Sequence, residues 1–137
     1  MIKGNNTSAG FTLLEVMVTV ILIGILASLA LPRYMQTVEK GRSAEARNVL
    51  GMIRSAQNAY FFENGFYTGS FANLSVIVPT GACNSSYFFR YSIGVVGLTY
   101  TAQADRCTAG GKSPNSFANY LLNITQTGDL GGSQGYL

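Results

Sequence analysis

The stretch Gly10-Phe11-Thr12-Leu13-Leu14-Glu15, followed by VMVTVILIGILASLALP from Val16 to Pro32, decides how this chain is read. Between Phe11 and Leu31 a single residue is charged, Glu15. As a helix that run reaches about 32 Å at about 1.5 Å per residue, enough for a hydrocarbon core about 30 Å thick. The segment before it, Met1–Gly10, is short and polar, carries Lys3 and ends in the small residues Ala9 and Gly10. A secretory signal places an apolar core of about 7–15 residues ahead of its small-residue cleavage site. Here the small residues come first, so a cut beside them leaves the apolar run on the mature protein. Hydropathy alone equally allows an uncleaved anchor. Glu15 separates the two readings. A charge at the bilayer centre costs at least about 2.5–3.5 kcal/mol, and an intramembrane ionisable residue is a functional candidate by default.

This combination of a small residue, Phe11 and Glu15 before a long apolar run resembles the prepilin cleavage motif of type IV pilins and type II secretion pseudopilins. The resemblance implies a cleaved leader over residues 1–10, cut between Gly10 and Phe11 by a prepilin peptidase that also methylates the new Phe11 amine. It implies that Phe11 and Glu15 act in assembly, the carboxylate pairing with the Phe11 amine of a neighbouring subunit. Such pairing rewards correct axial register, because each charge alone is costly in a low-dielectric filament core. The same two residues are four apart on a helix and can also meet within one chain. Gly24 and Pro32 mark a breakable stretch. Proline removes a helical hydrogen bond and clashes with the carbonyl four residues back, and the alternatives are helix loss in a filament or a simple kink.

Beyond Pro32 the pattern turns amphipathic. Val49, Met52, Ile53, Ala56 and Tyr60 fall on one helical face, and Asn64-Gly65 is a helix stop. One helix over residues 11–63 is therefore expected, roughly 80 Å long, with its first half transmembrane and, as the resemblance implies, in the filament core. The remainder, residues 64–137, reads as a head. A connecting region rich in Gly, Ser, Asn and Thr runs to about Ser86. Strict alternation comes next. Tyr87, Phe89, Tyr91, Ile93 and Val95 take one face, Val96-Gly97 is a turn, and Leu98, Tyr100, Ala102 and Ala104 continue. A third run is Ala118, Tyr120, Leu122 and Ile124. The expected fold class is α+β, a long N-terminal helix packed on a three- to four-stranded antiparallel sheet with one apolar face. A hairpin centred on Val96-Gly97 brings Cys83 and Cys107 together at its open end, where a disulfide is expected. How the tail from Thr127 to Leu137 is held stays open, because Cys107 precedes the third run.

Composition narrows the function classes. Charged residues make up only 11% of the chain and there is no His, so neither a metal site nor a cofactor is expected and no catalytic residue stands out. Asp105 and Asp129 read as turn residues. Net charge is +3, and loss of Lys3 leaves +2 on the side chains. Arg33, Lys40, Arg42, Arg47 and Arg54 cluster in the first half. After an apolar span they read as a solvated or headgroup-facing surface, and nucleic acid is a weakly supported partner. Sequons at Asn73, Asn84 and Asn123 are short and common by chance. With the resemblance, the leading expectation is a non-enzymatic structural subunit of a type IV pilus. Its partners are other copies of the chain, the prepilin peptidase and the assembly machinery. It resides in the bacterial inner membrane before assembly and in an extracellular filament after it. The alternatives are a minor pilin, a type II secretion pseudopilin, and a membrane-anchored binding module that never polymerises.

Overall fold

A computed structural model describes residues 10–83, 86–108 and 119–133. The elements run α1 (Leu13–Asn64), a 3-10 turn (Phe71–Asn73), β1 (Phe89–Val96), β2 (Thr99–Arg106), β3 (Leu121–Thr125) and β4 (Leu130–Gly132). The fold is α+β. The chain divides into two compact units, one ending at Met35 and the other beginning at Gln36.

In the first unit α1 is long and apolar enough to cross a membrane, and none of its apolar window is buried. Its side chains are exposed all around the helix, and the near-continuous Leu, Ile and Val content makes every face apolar. A helix that is apolar on every side has no orientation that hides it in water. The helix continues through Gly24 and Pro32.

In the second unit the sheet has the order β1-β2-β3-β4, antiparallel throughout. The β1–β2 hairpin pairs Phe89 with Arg106 and closes with Val96 opposite Thr99. The turn is therefore Gly97-Leu98, one residue later than the Val96-Gly97 expected from the alternation. Val96 is β-branched and pairs well within a strand. Gly97, at φ +59, takes the positive φ that two-residue hairpin turns require. Alternation is otherwise kept. Phe89, Tyr91, Tyr100, Ala102, Ala104, Tyr120, Leu122 and Ile124 form the core together with Ala46, Leu50 and Ile53 of α1. Ala118 of the third expected run lies outside the described residues.

The buried stripe of α1 differs from the expected one. Glu39, Ser43, Ala46, Leu50, Ile53 and Gln57 are buried, spaced three or four apart along one face. Of the expected set only Ile53 is buried; Val49 packs at the flank and Met52 is 53% exposed. The reason is steric and polar together. Small residues (Ser43, Ala46) face a sheet that already carries Tyr91, Tyr100 and Tyr120, while Glu39 and Gln57 enter the interior because partners await them. Gln57 donates from Nε2 to the Thr68 carbonyl at 2.5 Å and accepts from the Thr68 amide at 3.2 Å. One side chain thus mimics a backbone pair and anchors the chain just after the helix.

The tail is held without a disulfide. β4 pairs with β3 from Leu122↔Gly132 to Ile124↔Leu130, and Ser133 donates its amide to the Leu121 carbonyl. Arg54 of α1 donates to the carbonyls of Gln126 and Thr127, clamping the β3–β4 turn.

Candidate functional site

Two groups of polar residues stand out against this apolar frame. The first is at the start of α1. Gly10 and Phe11 are outside the helix and exposed, Phe11 at 84%. Thr12 precedes the first helical residue. Its carbonyl accepts from the Val16 amide at 3.3 Å, and its hydroxyl accepts from the Glu15 amide at 3.2 Å. This is the N-cap arrangement, in which a threonine hydroxyl satisfies one of the four amides that a helix start leaves unpaired. The spacing Thr-x-x-Glu also matches a capping box. Glu15 itself is exposed on the apolar helix.

The second group lies between the later half of α1 and the sheet. Arg106, with its side chain fully buried, donates from Nε to Glu39 Oε1 at 2.6 Å and from Nη2 to Glu39 Oε2 at 3.2 Å. The Tyr120 hydroxyl donates to Oε1 at 2.7 Å, and Arg42 donates to Oε2 at 3.0 Å. Both carboxylate oxygens are thus doubly engaged, in the bidentate geometry that makes arginine–carboxylate pairs strong. Arg106 also donates to the carbonyls of Phe88 and Cys107. The Phe88 ring centre lies 4.3 Å from the Arg42 guanidinium carbon and 5.2 Å from that of Arg106. Burial alone pushes the Glu39 carboxyl up, but the hydrogen bonds from Arg106 and Tyr120 and the Arg106 charge outweigh it and hold the group below the usual range. Burial, the hydrogen bond to Glu39 and the Glu39 charge push the Tyr120 phenol upward.

Sequence patterns do not mark Glu39, Arg106 and Tyr120 as a cluster, but one signal is present. The inward alternation Tyr100, Ala102, Ala104 continues to Arg106, placing an arginine on the buried face, where it demands a carboxylate. Glu39 lies one and two turns before Ser43 and Ala46, but a charged residue on the sheet-facing stripe breaks an apolar period.

Cys83 and Cys107 are joined, with their Cα atoms 5.3 Å apart. Cys107 comes directly after β2 and its amide donates to the Phe88 carbonyl. The disulfide therefore fastens the connecting region to the strand end that carries Arg106. Asp105 is a strand residue, not a turn residue, and pairs with Arg90 at 3.2 Å. Of the sequon asparagines, Asn73 donates from Nδ2 to Thr68 Oγ1, and Asn123 sits in β3 with its Oδ1 buried. Asn84 lies outside the described residues. Within the basic group, Arg42 serves Glu39 and Arg54 serves the tail, which breaks up a continuous cationic stripe. Among the described residues no group of three or more His, Cys, Asp or Glu could hold a metal ion.

Comparison with known proteins gives two matches to family models. Residues 5–31 match the prokaryotic N-terminal methylation motif, and residues 43–126 match the family described as type IV pilin-like G and H. Among individual relatives, the type IV major pilin protein PilA of Myxococcus xanthus is 38% identical over 69 residues, 50% of this chain and 31% of the relative. The type II secretion system core protein G of Aeromonas hydrophila is 38% identical over 76 residues, 54% of this chain and 53% of the relative. Fimbrial protein Q of Moraxella bovis is 29% identical over 133 residues, 93% of this chain and 83% of the relative. The chain thus spans about a third of the length of PilA and about half that of core protein G. No solved structure matches the chain. Since a single family model covers more than half of its length, behind an N-terminal methylation motif, the chain belongs to the type IV pilin-like G and H family.

Proposed function

We propose that this protein is a structural subunit of a type IV pilus filament. It waits in the inner membrane by the first unit of α1, is processed by a prepilin peptidase between Gly10 and Phe11, and polymerises through that helix. The observation that carries the reading is the apolar half of α1, exposed on every side and interrupted by one carboxylate, Glu15. Apolar surface on that scale needs lipid or other copies of itself, and a lone carboxylate within it needs a counter-charge. Cleavage creates one, the Phe11 amine. Gly24 and Pro32 are the positions at which we expect α1 to give way if the subunit is stretched.

A second reading, a type II secretion pseudopilin, is favoured by the similarity to core protein G over 76 residues. The pilus reading is preferred because the match to a fimbrial protein extends over 93% of this chain. Sheared surface material from producing cells decides between them. On the pilus reading its main component is this chain, beginning at Phe11 with one added methyl by intact mass. Deletion then removes filaments and leaves protein secretion unchanged. Loss of secretion without loss of surface filaments assigns the chain to the secretion system. A mature chain that still carries Met1–Gly10 overturns processing on either reading.

A further inference from the structure

The cap at the start of α1 bears on the processing step, and its role there rests on the proposed cut between Gly10 and Phe11. Thr12 closes the helix with two bonds, hydroxyl to the Glu15 amide and carbonyl to the Val16 amide. The peptide that must be cut is the one linking Gly10 to Phe11, just upstream of that cap and exposed. We propose that Thr12 is a positioning residue for processing: its hydroxyl fixes the first turn at Leu13 and keeps the Gly10–Phe11 peptide out of the helix.

The chemistry requires such a stop. Hydrolysis needs a carbonyl reachable by water or a nucleophile, and a peptide inside a helix has its carbonyl engaged by the amide four residues on. The unpaired amides at a helix start are costly where water is scarce, because lipid offers them no hydrogen-bond partner. Without a side-chain acceptor at position 12, the helix gains by running backward, making Phe11 and then Gly10 its first residues. That satisfies the Glu15 amide through a carbonyl upstream and withdraws the scissile peptide. The hydroxyl removes this incentive. Leu13 and Leu14 are strong helix formers and offer no alternative stop, while Gly10 opposes the retreat by only about 1 kcal/mol.

The helix-bound form competes with the cleavable one before the peptidase binds, so the expected loss falls on apparent affinity. When only a fraction of the substrate is competent, the apparent dissociation constant rises by the inverse of that fraction. A direct contact between hydroxyl and peptidase in the transition state would lower kcat instead.

The test uses the full chain in detergent or membrane vesicles with a purified prepilin peptidase, following intact mass at several substrate concentrations. T12V, which keeps shape and loses the hydroxyl, is expected to raise KM measurably, by up to about fivefold, the typical worth of a lost N-cap, with kcat near the parent value. T12S, which keeps the hydroxyl, is expected to match the parent. The decisive variant is T12V/L13P. Proline at the first helical position starts a helix without any hydroxyl and disfavours helical geometry in the residue before it. It should restore KM if the role of Thr12 is to set the helix start. T12V with parental kinetics overturns the proposal. So does T12V/L13P remaining as slow as T12V, or a T12V loss confined to kcat. A parent chain left uncut, or cut elsewhere, overturns the processing reading itself and is distinguished from these by the parent control.

Discussion

Glu39 joins three parts of the head through one carboxylate. It receives bonds from Arg106, Tyr120 and Arg42, and so ties α1 to β2 and to the residue preceding β3. A buried pair of this kind is weak grounds for net stability, but removing one partner is costly because the other charge is left unpaired. E39M and R106M are each expected to destabilise the full chain in detergent by about 3–5 kcal/mol in urea unfolding. The double change E39M/R106M is expected to cost less than the sum of the single changes, and close to either one or below it. Additive losses would mean that the two side chains act independently. The pH dependence has the same geometric origin. The folded carboxyl is held below the ordinary glutamate value of 4.5, so its contribution is fully present above about that pH and is lost as pH falls through the folded value. E39Q should therefore flatten the acid side of the stability profile, while the profile above pH about 5 keeps its shape. An acid limb identical to the parent's would show that other carboxylates set it.

At the scale of elements, the β3–β4 turn depends on a contact that no local pattern reveals. Gly128 has φ +95, and a Cβ there would stand 2.8 Å from the Arg54 guanidinium carbon. G128A therefore combines backbone strain of about 1–3 kcal/mol with displacement of Arg54 from the Gln126 and Thr127 carbonyls. The expected result is early proteolytic trimming of the C-terminal segment with the rest of the head intact. Unchanged protease resistance would show that β4 holds without the clamp. The disulfide is another fastening outside the strand ladder. It closes a sequence separation of 24, and its reduction should lower stability by about 2–4 kcal/mol in the chain-entropy account. Recovery of Cys83 and Cys107 as free thiols from isolated filaments would remove that contribution. These same elements show how far the fold was legible in the sequence. Alternation in β1 and β2 was legible because every second residue from Phe89 to Val95, and again from Tyr100 to Ala104, is apolar. The hairpin turn moves by one because Gly97 can occupy either turn position, and only pairing fixes which. β4 was not legible: Leu130-Gly131-Gly132 has poor strand propensity, and it forms because Gly132 can approach the Leu121 carbonyl, where a Cβ would collide. On α1 the polar residues Glu39 and Gln57 disguised the buried stripe, since their partners include residues 11 to 81 positions away.

For the whole molecule, the question is what stands opposite Glu15 when helices come together. The motif Gly10 to Glu15 was legible because its residue types are so unlike an inert anchor, but the proposed partner of the carboxylate lies on another subunit, which no pattern within one chain can show. In the single chain the Glu15 side chain is exposed on the apolar helix, in position to act outward. A charge inside an apolar bundle is costly unless matched, and on the proposed processing the Phe11 amine is the matching charge. If pairing runs between subunits, sliding one helix along its neighbour separates the charges, and the register with the charges matched is selected over all others. E15Q preserves shape and removes the charge. It should fold its head normally, be cut between Gly10 and Phe11, and insert in the membrane at least as well as the parent. Assembly should fall about tenfold or more, since one unmatched amine per subunit exceeds about 1.4 kcal/mol, the worth of a tenfold change. The quantity to measure is the ratio of sheared filament to membrane-bound processed subunit. Head folding is checked by the Cys83–Cys107 linkage, and cleavage by mass. Equal polymerisation of E15Q and parent would mean that the apolar surfaces alone set the register, and Glu15 would then need another explanation.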